Sequence, residues 1–257
     1  MSTFRVGAQF HPQQTTVEDL RAGWRAADEL GVDSIWTWDH FYPLYGDPDG
    51  AHLEGWSLLA AIACDTRHAE FGAMVTCNSY RNPDLLADMA RTVDHLSGGR
   101  LILGIGAGWF HRDYEEYGYD FGTAADRLRA LEAALPRIRT RLERLNPPPV
   151  RDPMPILIGG GGEKVTLRLV AEYADLWNGF GPPERYARKN RVIDEWCERV
   201  RRDPAAIERT VLIESHEVDQ LDAFLEAGAQ HVIVELGTKD GKPFDLDPVR
   251  TLLERRG

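Results

Sequence analysis

Cysteine is scarce in this chain, with three in 257 residues, and Cys64, Cys77 and Cys197 are widely spaced. An odd, scattered set disfavours a disulfide framework and a zinc cluster, and it leads us to expect a reducing cytoplasm. His11, His52 and His111 show no HxH or HExxH spacing, so no metal site is expected. Long apolar runs are missing too. No stretch approaches 18 apolar residues, and "MSTFRVGAQF" has no basic segment leading into an apolar block, so neither a membrane span nor a secretory signal is expected. Positive charge is in deficit: 30 Lys and Arg stand against 41 Asp and Glu, a net charge of −11. Without a basic, aromatic-interleaved run, a nucleic-acid partner is disfavoured. Two nucleotide motifs are absent as well. Trp109 stands where GxGxxG starting at Gly104 and Gly106 needs its last glycine, and Glu163-Lys164-Val165 stands where a Walker loop needs Gly-Lys-Ser/Thr.

What is present is alternation. Short β-rich runs at 4–10, 34–38, 71–76, 101–105, 155–158, 175–180, 210–214 and 231–236 are separated by helical patterns at 15–31, 55–64, 83–97, 123–145, 163–173, 183–200, 217–228 and 247–255. Thr16 can cap the first helix and Gly31 can stop it. Eight β–α repeats in about 250 residues predict an α/β fold, a (β/α)8 TIM barrel formed by residues 1–257 as one domain. A doubly wound open sheet is the runner-up. The proline-rich stretch "RLNPPPVRDPMP" reads as a short, stiff connection before the fifth strand.

In such a barrel the residues just after each strand build the active site. Here they include Phe10 and His11, Trp38 to Phe41, Thr76 to Tyr80, and "LILGIGAGW". "IGGGGEKVT" and Trp177 to Phe180 follow the fifth and sixth strands. Asp39-His40 is the best acid–base candidate, because imidazole titrates near neutrality and an adjacent acceptor can orient it. The alternative is a hydrogen-bonded structural histidine beside a turn-forming aspartate. Four glycines at 159–162 before a helix gather exposed N–H groups into an anion cradle, with Lys164 and Thr166 as possible further donors. The competing reading is a flexible turn. Flat aromatic walls beside such a cradle suit a planar ring carrying a phosphate.

"LGVDSIWTWDHF", "VTCNSYRNPDLLADMARTVDHLSGGRLILGIGAGW", "YEEYGYDF" and "IGGGGEKVTLRLVAEYADLWN", in that order, give the sequence a specific likeness. It resembles the luciferase-like monooxygenase superfamily, and within it the branch that uses the deazaflavin coenzyme F420; FMN is the alternative cofactor. The resemblance implies a ring lying across the barrel mouth on a third-strand bulge, where a non-proline cis peptide matches Met74-Val75. It places Asp39 at the ring's polar edge and His40 near the reacting centre. Thr76 and Asn78 would line the cofactor, Gly106, Ala107, Gly108 and Trp109 would border its side chain, and Gly160, Gly161, Gly162, Glu163 and Lys164 would hold its phosphate. Phe10, His11, Trp38, Tyr80, Trp109 and Phe180 would form the substrate pocket. Many members carry a longer insertion before the fifth strand, so the short connection here implies a more open mouth. Arg185, Arg188 and Lys189 are candidates for the coenzyme's acidic tail. The implied activity is hydride transfer to or from a small organic molecule, with no metal, in a homodimer, and with a separate reductase or dehydrogenase recycling the cofactor. An FMN-dependent monooxygenase is the alternative, and a non-catalytic cofactor-binding protein is a third reading.

Overall fold

A computed structural model describes residues 4–238 and 243–256. Its strands are β1 (Arg5–Phe10), β2 (Ser34–Thr37), β3 (Glu70–Ala73), β4 (Thr76–Cys77), β5 (Leu103–Gly106), β6 (Ile156–Gly159), β7 (Leu176–Phe180), β8 (Glu208–Ile213) and β9 (His231–Leu236). All neighbours pair in parallel, in the order β3-β2-β1-β9-β8-β7-β6-β5-β4. The two ends of this sheet are two halves of one strand. The expected run 71–76 breaks at Met74-Val75, whose peptide bond is cis. Its first half then closes the ring: Phe71 N–H donates to Arg100 O at 3.1 Å, and Ile102 N–H donates to Phe71 O at 2.8 Å. The result is the eight-stranded barrel that the alternation predicts.

Close approach makes this closure possible. A Cβ on Gly104 would lie 1.9 Å from the Ala73 carbonyl oxygen, so β5 can meet the broken strand only with a bare backbone there. Inside the barrel, Trp36, Met74, Ile102, Leu157, Leu176 and Ile233 fill the middle, and a larger apolar layer lies between the strands and the helices. The floor is polar. Trp36 donates to Ser34 Oγ at 2.7 Å, so Ser34 in turn donates to His231 Nε2 at 2.8 Å, and His231 Nδ1–H faces Glu208 at 2.9 Å. Burial holds the His231 imidazole below its ordinary pKa, in keeping with this neutral tautomer.

The helices are α1 (Val17–Leu30), α2 (Gly55–Asp65), α3 (Pro83–Ser97), α4 (His111–Tyr117), α5 (Ala124–Arg144), α6 (Thr166–Tyr173), α7 (Pro183–Val200), α8 (Leu221–Glu226) and α9 (Asp247–Arg256). Among the described residues, none is long and apolar enough to cross a membrane. Thr16 caps α1 by accepting from Asp19 N–H at 3.1 Å, and Gly31 ends it at φ 83°. Three differences from expectation matter. The short helix α4 was not foreseen, and the expected helix at 217–228 is a 3₁₀ segment, Ser215–Gln220, leading into α8. The proline-rich connection before β6 lies at the floor, not at the mouth. Asp94 accepts from Val150 N–H at 2.8 Å and Arg151 N–H at 3.1 Å, and Arg151 pairs with Glu70 at the start of β3. Its shortness therefore does not open the mouth.

Candidate active site

The C-terminal ends of the strands surround a cleft of about 740 Å³, a size that suits a cofactor-sized ligand. Its floor is Val75. A Cβ on Gly106 would come within 2.7 Å of Val75 Cγ2, and one on Gly159 within 2.8 Å of Val75 Cγ1, so two bare backbones leave room for this one side chain. Gln9 reaches across the interior and donates to Met74 O at 3.1 Å, bracing the bulge from below.

His40 stands at one wall with 12% of its side chain exposed. Its partner is Asp113 on α4, fully buried, with Oδ2 2.7 Å from His40 Nδ1. Asp113 also accepts from Tyr80 OH at 2.8 Å, Phe41 N–H at 3.1 Å and Tyr42 N–H at 3.2 Å. A carboxylate filled by these donors takes a proton-bearing Nδ1, which leaves Nε2 as the free nitrogen of the ring. Trp38, Trp109 and Phe110 meet the imidazole edge to face.

Asp39 has a different task from the one its sequence neighbour implies. It is buried, and Arg81 forks onto both of its oxygens at 2.6 and 2.9 Å while Cys77 N–H donates at 3.1 Å. Burial pushes its carboxyl above the usual range, and the guanidinium opposes this. Arg81 also reaches Glu54 at 2.9 Å, the residue whose carboxylate caps α2. Asp39 thus fastens the end of β2 to α2 and does not orient His40; Asp113 does.

Other expected residues divide clearly. Met74, Val75, Gly106, Ala107, Gly108, Trp109 and Gly160 line the cleft, as do Trp38, Tyr80 and Phe180. Trp109 and Phe180 are 63% and 55% exposed, so both rings stand at the rim. Phe10 does not reach the cleft. It packs near Gly23 and edge-on against Phe244 in the helix layer, because alternation along β1 sends Gln9 inward and Phe10 outward. Thr76 likewise faces α2, accepting from Trp56 Nε1–H at 3.1 Å, and Asn78 is buried outside the lining. Gly161, Gly162, Glu163 and Lys164 lie beyond the cleft wall. Glu163 is held by Lys189 at 2.7 Å and by Arg188, and Lys164 is exposed. Thr166 is in the wall, and among the described residues the amides of Gly161 and Gly162 find no acceptor. His11 lies in an adjoining compartment, stacked 4.3 Å from Trp38.

A planar ring with a phosphate-bearing chain fits these residues. Val75 offers an apolar seat, Gly160 bends the chain at φ 114°, and the two free amides with Thr166 make an anion site at the head of α6.

On the other side of Trp38, His52 Nε2 accepts the indole N–H at 3.0 Å, and burial, then neighbouring His40, pushes the His52 pKa from 6.5 to about 4. The native ring thus refuses a proton that the unfolded chain accepts below pH 6.5. Stability is therefore full above pH 6.5 and falls as pH drops toward about 4. The whole depression is equivalent to roughly 3 kcal/mol, and partial exposure reduces the expected loss to about 1–2 kcal/mol. Melting curves across this range should show a shallower pH slope for His52→Gln than for the wild type, and parallel slopes would contradict the assignment.

A barrel with this mouth defines a class, and the sequence match gives the family: the chain belongs to the luciferase-like monooxygenase family, whose model matches residues 1–234. It is 31% identical over 138 residues to the F420-dependent glucose-6-phosphate dehydrogenase of Amycolatopsis mediterranei (strain U-32), covering 52% of this chain and 40% of that protein. Over 247 residues it is 29% identical to the phthiodiolone/phenolphthiodiolone dimycocerosates ketoreductase of Mycobacterium sp. (strain JLS), covering 80% and 64% respectively. The chain spans less than two thirds of the length of either relative. Its fold is similar to that of an F420-dependent secondary alcohol dehydrogenase solved with an F420-acetone adduct (TM-score 0.83, 18% identity, 91% of this chain and 93% of that one). It is also similar to the coenzyme F420-dependent tetrahydromethanopterin reductase of Methanopyrus kandleri (TM-score 0.75, 14% identity, 98% and 96%).

Proposed function

We propose that the protein is an F420-dependent oxidoreductase acting on a small organic substrate. The observation that carries this reading is the Val75 seat and the His40–Asp113 pair in one cleft, with the free amides of Gly161 and Gly162 in the loop that continues from its wall at Gly160. The choice of deazaflavin over FMN is supported by the F420-dependent relatives. When bound, the coenzyme would supply a hydride donor or acceptor. The chain's own part is to bind, shield and move a proton. The glycine loop and Thr166 would hold the phosphate, and Trp109 and Phe180, standing at the rim, would shield the bound ring from water. His40 gives or takes the accompanying proton at Nε2, with Asp113 fixing Nδ1–H. In this reading the protein works as a cytoplasmic homodimer of one-domain chains, and another F420-linked enzyme recycles its coenzyme.

Titration of the purified protein with F420 and with FMN, followed by ring fluorescence, tests the choice. Saturable F420 binding is expected, and binding of FMN alone would overturn it. Gly106→Ala sharpens the test. Its methyl would push Val75 toward the seat, and an overpacking cost of about 1–3 kcal/mol placed there weakens F420 binding roughly 10- to 100-fold. Equal losses in binding and in melting temperature would mean that Gly106 serves only the fold.

A further inference from the structure

We propose that the outer part of the mouth, between Glu235 and Tyr45, seats a protonated amine, so that the substrate is an organic cation and not a phosphorylated or carboxylated compound. This rests on the mouth being the substrate site of the reading above. A second compartment of about 610 Å³ adjoins the cleft, and the two share Tyr45, Glu214 and Glu235. Glu217 adds a third glutamate to the cleft, where the carboxylate of Asp39 is already paired with Arg81, and among the described residues no lysine or arginine lines either space.

At this outer rim several donors are already committed. Gln13 is engaged through both ends of its amide, accepting from Leu44 N–H at 2.7 Å and donating to Tyr45 O at 2.9 Å, and the Ser215 and Thr238 hydroxyls are spent on backbone carbonyls. The Glu235 carboxylate lies 3.7 Å from His11 Nε2, too far for a hydrogen bond. His11 is only 6% exposed, and its Nε2 has no partner among the described residues. The Glu235 carboxylate, 20% exposed beside this unpartnered imidazole, is left free to accept from a ligand donor. An ammonium group carries three donors and no acceptor, which matches this deficit. Tyr45 adds its ring, 56% exposed, where a cation gains from the π face. Burial, then Glu235 and Glu214, pushes the Tyr45 phenol up, so it remains neutral. A phosphate or carboxylate would instead bring like charge against three glutamates.

The test needs no coenzyme, so its failure is distinct from failure of F420 to bind. Cyclohexylamine, cyclohexanol and cyclohexanecarboxylate share a shape and differ in charge. Each is titrated into the purified protein at pH 7 and low salt, following tryptophan fluorescence. The amine should bind about ten-fold more tightly than the alcohol, and the carboxylate more weakly than either. Glu235→Gln should remove the amine's advantage and leave the alcohol's affinity unchanged. The exposed-site variant Glu214→Gln and a rise to 0.5 M salt should each reduce that advantage. Equal affinities for amine and alcohol, tighter binding of the carboxylate, or an undiminished preference in Glu235→Gln would overturn the proposal.

Discussion

Asp113→Asn is expected to lower turnover by about 10²- to 10⁴-fold, the range carried by a positioned proton-transfer group, with F420 affinity little changed. The amide keeps an oxygen that can accept from Phe41 and Tyr42 N–H, but it turns an NH₂ group toward Tyr80 OH and His40 Nδ1, where two protons already point. His40 escapes the clash by moving its proton to Nε2, and the nitrogen facing the cleft then has the wrong polarity. Nitrogen chemical shifts of the His40 ring would record this change directly, without any substrate. Asp113→Ala should do more damage to the fold. It leaves the Tyr80 hydroxyl and two amides unpaired, at about 1–3 kcal/mol for each group that stays buried. A native His40 tautomer and full turnover in Asp113→Asn would remove Asp113 from the account.

Gly104→Ala is expected to be the most destabilising one-methyl change in the barrel, by about 3 kcal/mol or more. The added carbon would meet the Ala73 carbonyl oxygen at 1.9 Å, and that obstacle is backbone, so no rotamer change relieves it. Ala73 immediately precedes the bulge, and separating β5 from it disturbs Val75 as well as barrel closure. Chemical denaturation gives the comparison: Gly98→Ala is a useful control, because a Cβ there meets nothing within 4 Å, although its φ of 69° carries a backbone cost of its own. If Gly104→Ala unfolds no more readily than Gly98→Ala, close strand approach is not what Gly104 provides.

The barrel was legible in the sequence because parallel strands buried on both faces are short apolar runs punctuated by helices, and both periods survive in one chain. The interruption at Met74-Val75 was legible only through family resemblance, since nothing in "FGAMVT" itself breaks a strand pattern. His40 could be found by its position after β2. Its partner could not, because Asp113 is 73 residues away on a helix that the pattern did not reveal, and adjacency drew attention to Asp39. Phe10 and Thr76 were misplaced for a simpler reason. Side-chain alternation continues to the strand ends, so Gln9 and not Phe10 faces the barrel interior. Glu214 and Glu235 lie at or near the ends of β8 and β9, where no motif marks them in the sequence.

A crystal structure of the protein with F420 tests the central claim most directly. The account predicts the deazaflavin ring against Val75, its phosphate on the amides of Gly161 and Gly162 beside Thr166, and His40 Nε2 facing the reactive side of the ring. A phosphate bound away from the glycine loop, or a ring on the opposite side of Trp109 from His40, would contradict it.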